Sequence, residues 1–459
     1  MSKDEYLITD TPLKALTVFA MPMILGSFFQ QIYNMADSII VGQFVGSSAL
    51  AAVGACAALT NVFICVALGA GVGAGVLVSR YFGAREYGKM KTIVSTSLIS
   101  FLLLSIVLGV FGFFFASSMM SGLQTPADIL DDAVLYLRVY FVGFPFLFMY
   151  NILSTMFTSI GESKIPLVLL IFSSILNILM DLWMVAGLGL GVFGAAIATL
   201  IAQGISAVFS FLIFFARMQQ YKSPFNRFER QELYSMLRIA VPSVLQQSTV
   251  SIGMMIVQAV VNPFGTQALA GYTATMRVEN VFSLIFVSIG NAVSPYVSQN
   301  LGAKKYQRIR KGVHSGTYMA LLTSVVILGV LVLFGRIILS LFVSGEPEQI
   351  RQVLDIAYKY LFIMAIFLWV LYLLYVYRSA IQGLGNTLIP LASGIAEFVM
   401  RVSVALLLPK LIGEDGIFYA EICAWTSAAV LLFISYMIII RKYKDSSDSS
   451  ELPAKGLQR

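Results

Sequence analysis

Four side chains stand out from apolar surroundings: Asp37 in "IYNMADSIIVG", Asn177 and Asp181 in "NILMDLWMV", and Thr199 in "GVFGAAIATLIAQ". Asp37 is the only charge between Leu16 and Phe44. An acid at the centre of a membrane span costs roughly 2.5–3.5 kcal/mol even on the mildest insertion scale, so an acid kept at depth is read as functional. Asn177 and Asp181 stand four residues apart and share one helix face. Carboxylate, amide and hydroxyl oxygens are hard ligands that suit Na⁺, and a carboxylate pair also suits a shared proton. Two carboxylates held close in a low dielectric cannot both stay ionised without a cation. The chemistry these residues offer is reversible binding of H⁺ or Na⁺, and their types leave both ions open.

That chemistry requires three helices to meet at one depth. Asp37 lies about six residues before the end of its apolar run, Asp181 about six before the "GLGLG" turn, and Thr199 about eight after it. At about 1.5 Å per residue, all three fall roughly 9–12 Å below the same helix ends. Interhelical hydrogen bonding would account for Asn177 or Thr199 taken singly. It is a weak account of two acids.

The elements follow from composition. The 459 residues are 58% hydrophobic and 12% charged, with mean hydropathy +0.86, whereas a soluble chain carries about 25% charge. Apolar runs of about 20 residues or more read as spans. They fall near 14–42, 50–78, 92–117, 134–158, 165–187, 192–216, 236–262, 268–298, 314–340, 358–381, 387–409 and 416–440. The expectation is an all-α polytopic membrane protein of twelve helices. Cys56, Cys65 and Cys423 lie in these runs, without disulfide or metal-site spacing. His314 stands alone and reads as a loop or helix-end residue. The N-terminus is polar and mixed in charge, with no cleavable signal, and the final "RKYKDSSDSSELPAKGLQR" reads as a disordered end.

Of the 30 Lys and Arg, 22 fall in the terminal segments and alternate loops and only Arg351 and Lys410 in the opposite loops. The bias places both termini in the cytoplasm. The net charge of +7 is scattered over short loops, so nucleic acid is not an expected partner; the partners are a lipid bilayer and small molecules. No ATP motif or soluble domain points to a pump or an enzyme, and no cofactor is implied beyond a transported ion.

The chain repeats itself. "AMPMIL" (20–25) returns as "AVPSVL" (240–245), "VSRYFGAREYGK" (78–89) as "VSQNLGAKKYQR" (297–308), and "IGESKIPL" (160–167) as "LGNTLIPL" (384–391). The offset stays between 219 and 224 through six spans. The expected organisation is an N-terminal segment 1–13, an N-lobe 14–216, a linker 217–235, a C-lobe 236–440 and a tail 441–459. An even number of spans per half relates the lobes by a pseudo-two-fold axis along the membrane normal. Pro22 and Pro242 occupy equivalent places in the first span of each half, as kinks or as hinges. The "LGAGVGAGVLVS" run (68–79) reads as a small-residue packing face.

Polar groups of the second half differ. Glu397 and Arg401 stand at i, i+4, and Glu279 follows Arg277; both read as internally neutralised pairs or as a charged surface toward a cavity. Glu421 has no evident partner in the sequence. Candidate substrate-cavity residues are Gln30, Asn34, Met35, Gln246, Met254, Met255, Met276, Glu279, Asn280 and Glu397. Met adapts to varied ligands, although most of the 20 Met read as core packing.

With "MADSIIVG" in the first span, "VSRYFGA" and "VSQNLGA" after the second and eighth, "LGNTLIP" opening the eleventh and "GVFGAAIATLIAQ" in the sixth, the chain resembles the multidrug and toxin extrusion (MATE) transporters, in a bacterial branch with DinF-type and MepA-type proteins. The resemblance covers nearly the whole chain. It implies two six-helix lobes around a V-shaped central cavity, and export of cationic or amphipathic compounds by antiport with H⁺ or Na⁺. It further implies an N-lobe cation site at Asp37, Asn177, Asp181 and Thr199, which would be the Na⁺ ligands if the ion is sodium. The acid that other branches carry in the seventh helix is replaced here by "LQQSTVSIGMM", and Glu421 stands where a small residue or Pro is expected. The expected protein is a monomeric secondary-active exporter of a bacterial plasma membrane. The alternative is a lipid-linked precursor flippase of the same superfamily, against which twelve spans and an acidic N-lobe argue; a channel or scaffold is a remoter class.

Overall fold

The computed structural model describes residues 5–343, 347–413 and 415–448. Among them run twelve helices long and apolar enough to cross a membrane. They are α1 (Pro12–Phe44), α2 (Ser47–Gly83), α3 (Tyr87–Gly122), α4 (Ala127–Ser159), α5 (Lys164–Asp181), α6 (Gly191–Gln219), α7 (Arg230–Val261), α8 (Thr266–Gly302), α9 (Tyr306–Ser340), α10 (Pro347–Gly383), α11 (Leu388–Leu407) and α12 (Asp415–Asp448). Each predicted run becomes one helix. The last helix continues through Asp448, so 441–448 is helical rather than part of a disordered end. Lys3 and the rest of the tail, with Lys455 and Arg459, lie outside the described residues.

Two compact units divide the chain: residues 21–244, and residues 1–20 with 245–459. The divisions fall inside α1 and α7, two residues from Pro22 and Pro242, and not in the 217–235 linker. Both helices continue through their proline.

In the unit 21–244, α4 is central and packs on α2, α3 and α6. Its core joins Phe144, Phe148, Ile152 and Met156 of α4 to Ala70, Ala74 and Leu77 of α2 and Ile93 of α3. The glycine run of α2 packs on two faces. A Cβ at Gly69 or Gly73 would meet the first half of α7, at Val244 Cα (2.7 Å) and the Met236 carbonyl (2.6 Å). A Cβ at Gly71 or Gly75 would meet Thr155 of α4. Small residues four apart let helix backbones approach closely, as expected for this stretch. The chain before α7 is stitched to α3: Asn226 N–H donates to Thr92 Oγ1 (3.1 Å), Glu229 N–H to Thr96 Oγ1 (3.1 Å), and Ser95 Oγ to the Arg227 carbonyl (2.6 Å).

In the other unit, α10 is central, packed on α8, α9 and α12, while α11 packs on α12. The chain before α1 is held here in the repeat-equivalent way. A short helical turn, Tyr6–Thr9, buries Leu7 and Ile8. Asn300 Nδ2 donates to the Leu7 carbonyl (3.0 Å), Lys305 Nζ to that of Ile8 (3.1 Å) and Arg308 Nη2 to that of Asp10 (2.6 Å).

Candidate functional site

α5 ends at Asp181 because the backbone changes winding there: residues Leu182–Gly187 form a π-helical turn, with Leu188 N–H donating to the Trp183 carbonyl at 2.9 Å. Such wider turns recur at functional sites. Gly189 (φ +65°) and Gly191 (φ +58°) then take left-handed conformations that glycine adopts at little cost, and α6 starts back along α5. An apolar plug of Ile40, Val41, Ala49, Val185, Val192 and Ala195 closes this end of the unit, one turn beyond Asp37.

Beneath the plug the four predicted side chains meet. Asp181 and Asn177 are fully buried, at 0% and 2% exposure. In the orientation that satisfies both neighbours, the Asn177 amide donates to Asp181 Oδ2 at 2.7 Å and accepts from Thr199 Oγ1 at 3.2 Å. The Asp37 and Asp181 side chains lie within hydrogen-bonding reach of each other. Each keeps one buried oxygen, Oδ1, without a donor. Without a proton or cation the pair would leave buried acceptors unsatisfied beside like charge, which is costly.

Tyrosines complete the cluster. Tyr33, one turn before Asp37, lines the same cavity as Thr199 and lies in the field of both acids; Tyr136 of α4 lies in that of Asp37. Sequence reasoning passed over both, although the i, i+4 spacing of Tyr33 and Asp37 was visible. Beside the cluster is a cavity of about 80 Å³ lined by Gln30, Tyr33, Asn151, Asn177, Thr199 and Gln203, among others. Thr199 and Gln203 also line an adjoining cavity against Tyr136 and Tyr140.

Of the predicted cavity residues, Gln30 is in the lining of the cavity of about 80 Å³. Asn34 and Met35 are exposed on α1, where Asn34 Nδ2 donates to Gln31 Oε1 at 3.2 Å. Gln246, Met254, Met255, Met276, Glu279, Asn280 and Glu397 belong to the other unit. Met254, Met255 and Asn280 are exposed there, while Gln246 is buried beside Gly394. Glu397 is closed into a buried ladder of charges. It accepts from Arg378 Nη2 (2.8 Å) and Arg401 Nη2 (2.9 Å), and Arg401 also donates from Nε (3.0 Å) and Nη2 (2.9 Å) to Glu421. Glu421 therefore has a partner twenty residues away, which spacing alone did not reveal. Arg277 is exposed, and the charged neighbours of Glu279 are Glu421, Arg401 and Glu397. The expected Arg277–Glu279 pair is not formed.

Twelve helices of membrane-spanning length, in two halves of repeated sequence, define a polytopic membrane protein. The MatE family model matches residues 22–183 and again 242–407, once in each half, and the chain belongs to that family, the multidrug and toxin extrusion transporters. It is 26% identical over 449 residues to the probable multidrug resistance protein YoeA of Bacillus subtilis, covering 94% of each chain. It is 26% identical over 462 residues to the multidrug export protein MepA of Staphylococcus haemolyticus, covering 98% of this chain and 100% of that one. The fold matches a MATE transporter solved in a bent conformation with a TM-score of 0.90 at 23% identity, over 98% of this chain and 100% of that one. A MOP superfamily transporter from Pyrococcus furiosus gives a TM-score of 0.90 at 23% identity, over 97% and 99%.

Proposed function

We propose that the protein is a secondary-active exporter of organic cationic or amphipathic compounds, working by alternating access in exchange for H⁺ or Na⁺ bound at Asp37, Asn177, Asp181 and Thr199. The observation that carries this reading is the meeting of Asp37 and Asp181, each with a buried oxygen that lacks a donor. A cation entering there relieves like-charge repulsion and satisfies those oxygens in one step. A ligand shifts a conformational equilibrium only by its differential affinity for the two states, and the neutralised pair supplies that difference.

Drug-like substrates are supported by relatives named as multidrug resistance and export proteins. Gln30, Asn34, Met35, Gln246, Met254, Met255, Met276 and Asn280 are offered as substrate contacts, and Pro22 and Pro242 as hinges. The Lys and Arg distribution supports a bacterial plasma membrane location with cytoplasmic termini, and the unit of function is a monomer needing no cofactor beyond the transported ion.

The test is ethidium efflux from proteoliposomes driven by an imposed pH or Na⁺ gradient, each applied alone. Asp37→Asn is expected to abolish gradient-driven efflux while thermal unfolding stays as in the wild type. Undiminished efflux in a folded Asp37→Asn protein sinks the mechanism, and the gradient that drives the wild type names the ion.

A further inference from the structure

Arg277 is a cation at depth that the protein leaves unmatched. It lies eleven residues into α8, roughly 16 Å from the helix start at about 1.5 Å per residue. An arginine inside a span normally pairs with an acid or faces a polar space. Among the described residues Arg277 has no hydrogen bond or ion pair. The acids at this end of the unit are committed elsewhere or face away. Asp355 is paired with Arg336 and Asp415 with Lys359. Glu279 is two residues further along α8, and residues two apart do not share a helix face. Glu348, in the first turn of α10, is exposed and outside the cavity that Arg277 lines.

That cavity has a volume of about 570 Å³. One wall is a face of α8 that carries Thr266, Thr273 and Arg277, and the others come from Gln349 and Ile350 in the first turns of α10 and from Phe342 just past α9. Helical side chains lean toward the N-terminus of their helix, so Arg277 rises along this face toward Thr273. Gln267 Nε2 donates to Gln352 Oε1 at 2.5 Å and ties the start of α8 to α10 at the rim. Among the described residues no acid lines the cavity. Its wall therefore offers hydroxyls, an amide and a guanidinium to a ligand that carries negative charge. Phe342 in the lining and Leu341 before it are 38% and 78% exposed, so an apolar edge adjoins the polar wall.

We propose that this cavity is a phosphate-binding site, its ligand being the phosphodiester headgroup of an anionic phospholipid such as phosphatidylglycerol. A planar guanidinium fork matches phosphate oxygens two at a time, and Thr266, Thr273 and Gln349 are placed to bond the headgroup hydroxyls. An ammonium headgroup finds no carboxylate in this lining, which favours a glycerol headgroup over a choline one. The volume falls in the range of sites for drug-sized molecules, about 300–1,000 Å³, and a lone phosphate ion would leave most of it unfilled. The apolar edge at Leu341 and Phe342 receives the start of an acyl chain. In the orientation proposed above the start of α8 faces outward, so the lipid comes from the outer leaflet. The site lies wholly within the unit of 245–459 and does not depend on cation coupling at Asp37 and Asp181.

The experiment is native mass spectrometry of the full-length protein in neutral detergent, incubated with phosphatidylglycerol, with phosphatidylcholine or with inorganic phosphate alone. Wild type is expected to retain one phosphatidylglycerol that Arg277→Gln loses at the same lipid concentration, with about tenfold more lipid needed to restore it. Arg351 is an exposed charge of α10 outside the lining. Arg351→Gln is expected to keep the wild-type lipid number, which separates this site from general attraction to basic surface. Equal phosphatidylglycerol numbers in wild type and Arg277→Gln overturn the proposal, as does a phosphatidylcholine retained equally well through Arg277. If Arg277→Gln loses a phosphate adduct but no lipid, the anion is a free one and the lipid assignment is overturned. Should Arg277→Gln fail to fold, Thr273→Asp decides. An acid four residues before Arg277 shares its helix face and neutralises it, and an unchanged lipid number in that variant overturns the proposal.

Discussion

The side-chain amide of Asn177 lies 2.7 Å from Oδ2 of Asp181, one helical turn further along α5, and 3.2 Å from the hydroxyl of Thr199 on α6. The contact ties the acid's charge to an amide whose oxygen in turn accepts from Thr199. Asn177→Leu removes the amide while keeping size. A hydrogen bond to a charged group contributes about 1.5–3 kcal/mol, so the cation concentration for half-maximal efflux is expected to shift by roughly 10- to 100-fold. Titrating efflux against the driving ion checks this; an unchanged midpoint refutes it.

Tyr33→Phe deletes only a hydroxyl in the cavity that Tyr33 shares with Thr199. The expected effect is milder, a few-fold shift in the same midpoint with maximal efflux retained, since a neutral hydrogen bond contributes about 1 kcal/mol. A complete loss of transport would give Tyr33 a larger part than positioning.

Arg401→Leu leaves Glu397 short of one partner and Glu421 without any, at a fully buried position. Removing one member of a buried ion pair costs about 3–5 kcal/mol. Thermal unfolding in detergent should fall steeply, well beyond the effect of removing the exposed Lys89–Glu86 bridge.

At Gly73 a Cβ would sit 2.6 Å from the Met236 carbonyl, whereas at Gly54 it would meet nothing within 4 Å. Gly73→Val is expected to destabilise by about 1–3 kcal/mol through overpacking. Gly54→Ala in α2 should leave the unfolding temperature within error or raise it slightly. Equal effects would mean that the α2–α7 approach is not close.

Arg308→Ala removes the donor to the Asp10 carbonyl. The turn Tyr6–Thr9 should then release more readily, seen as faster proteolytic cleavage near Leu7 under native conditions. Unaltered cleavage rates would show that Asn300 and Lys305 suffice.

Much of this was legible because a bilayer simplifies the reading. Spans are set by length and hydropathy, and a charge inside one is conspicuous. Asp37, Asp181 and Thr199 could be placed at one level by counting residues from turns, and the structure brings them together. What counting could not supply was azimuth and long-range pairing. The Arg401–Glu421 pair joins α11 to α12, and which face of α12 carries Glu421 depends on packing that the sequence does not print. Glu279 was read with Arg277 for adjacency, yet residues two apart on a helix point away from each other. Tyr33 was missed because a lone tyrosine in a span looks like ordinary apolar filling until Thr199 is seen beside it.

The boundaries inside α1 and α7 bear on any attempt to take the protein apart. Cleaving the polypeptide in the 217–235 linker would not yield two self-sufficient pieces: the leading fragment keeps residues 1–20, which complete the unit of 245–459, and the trailing one keeps the start of α7, which completes 21–244. Each fragment lacks helical turns that the other holds, nine residues of α1 in one case and fifteen of α7 in the other. Separately synthesised halves are therefore expected to complement each other, each unit being finished by turns borrowed from the other fragment.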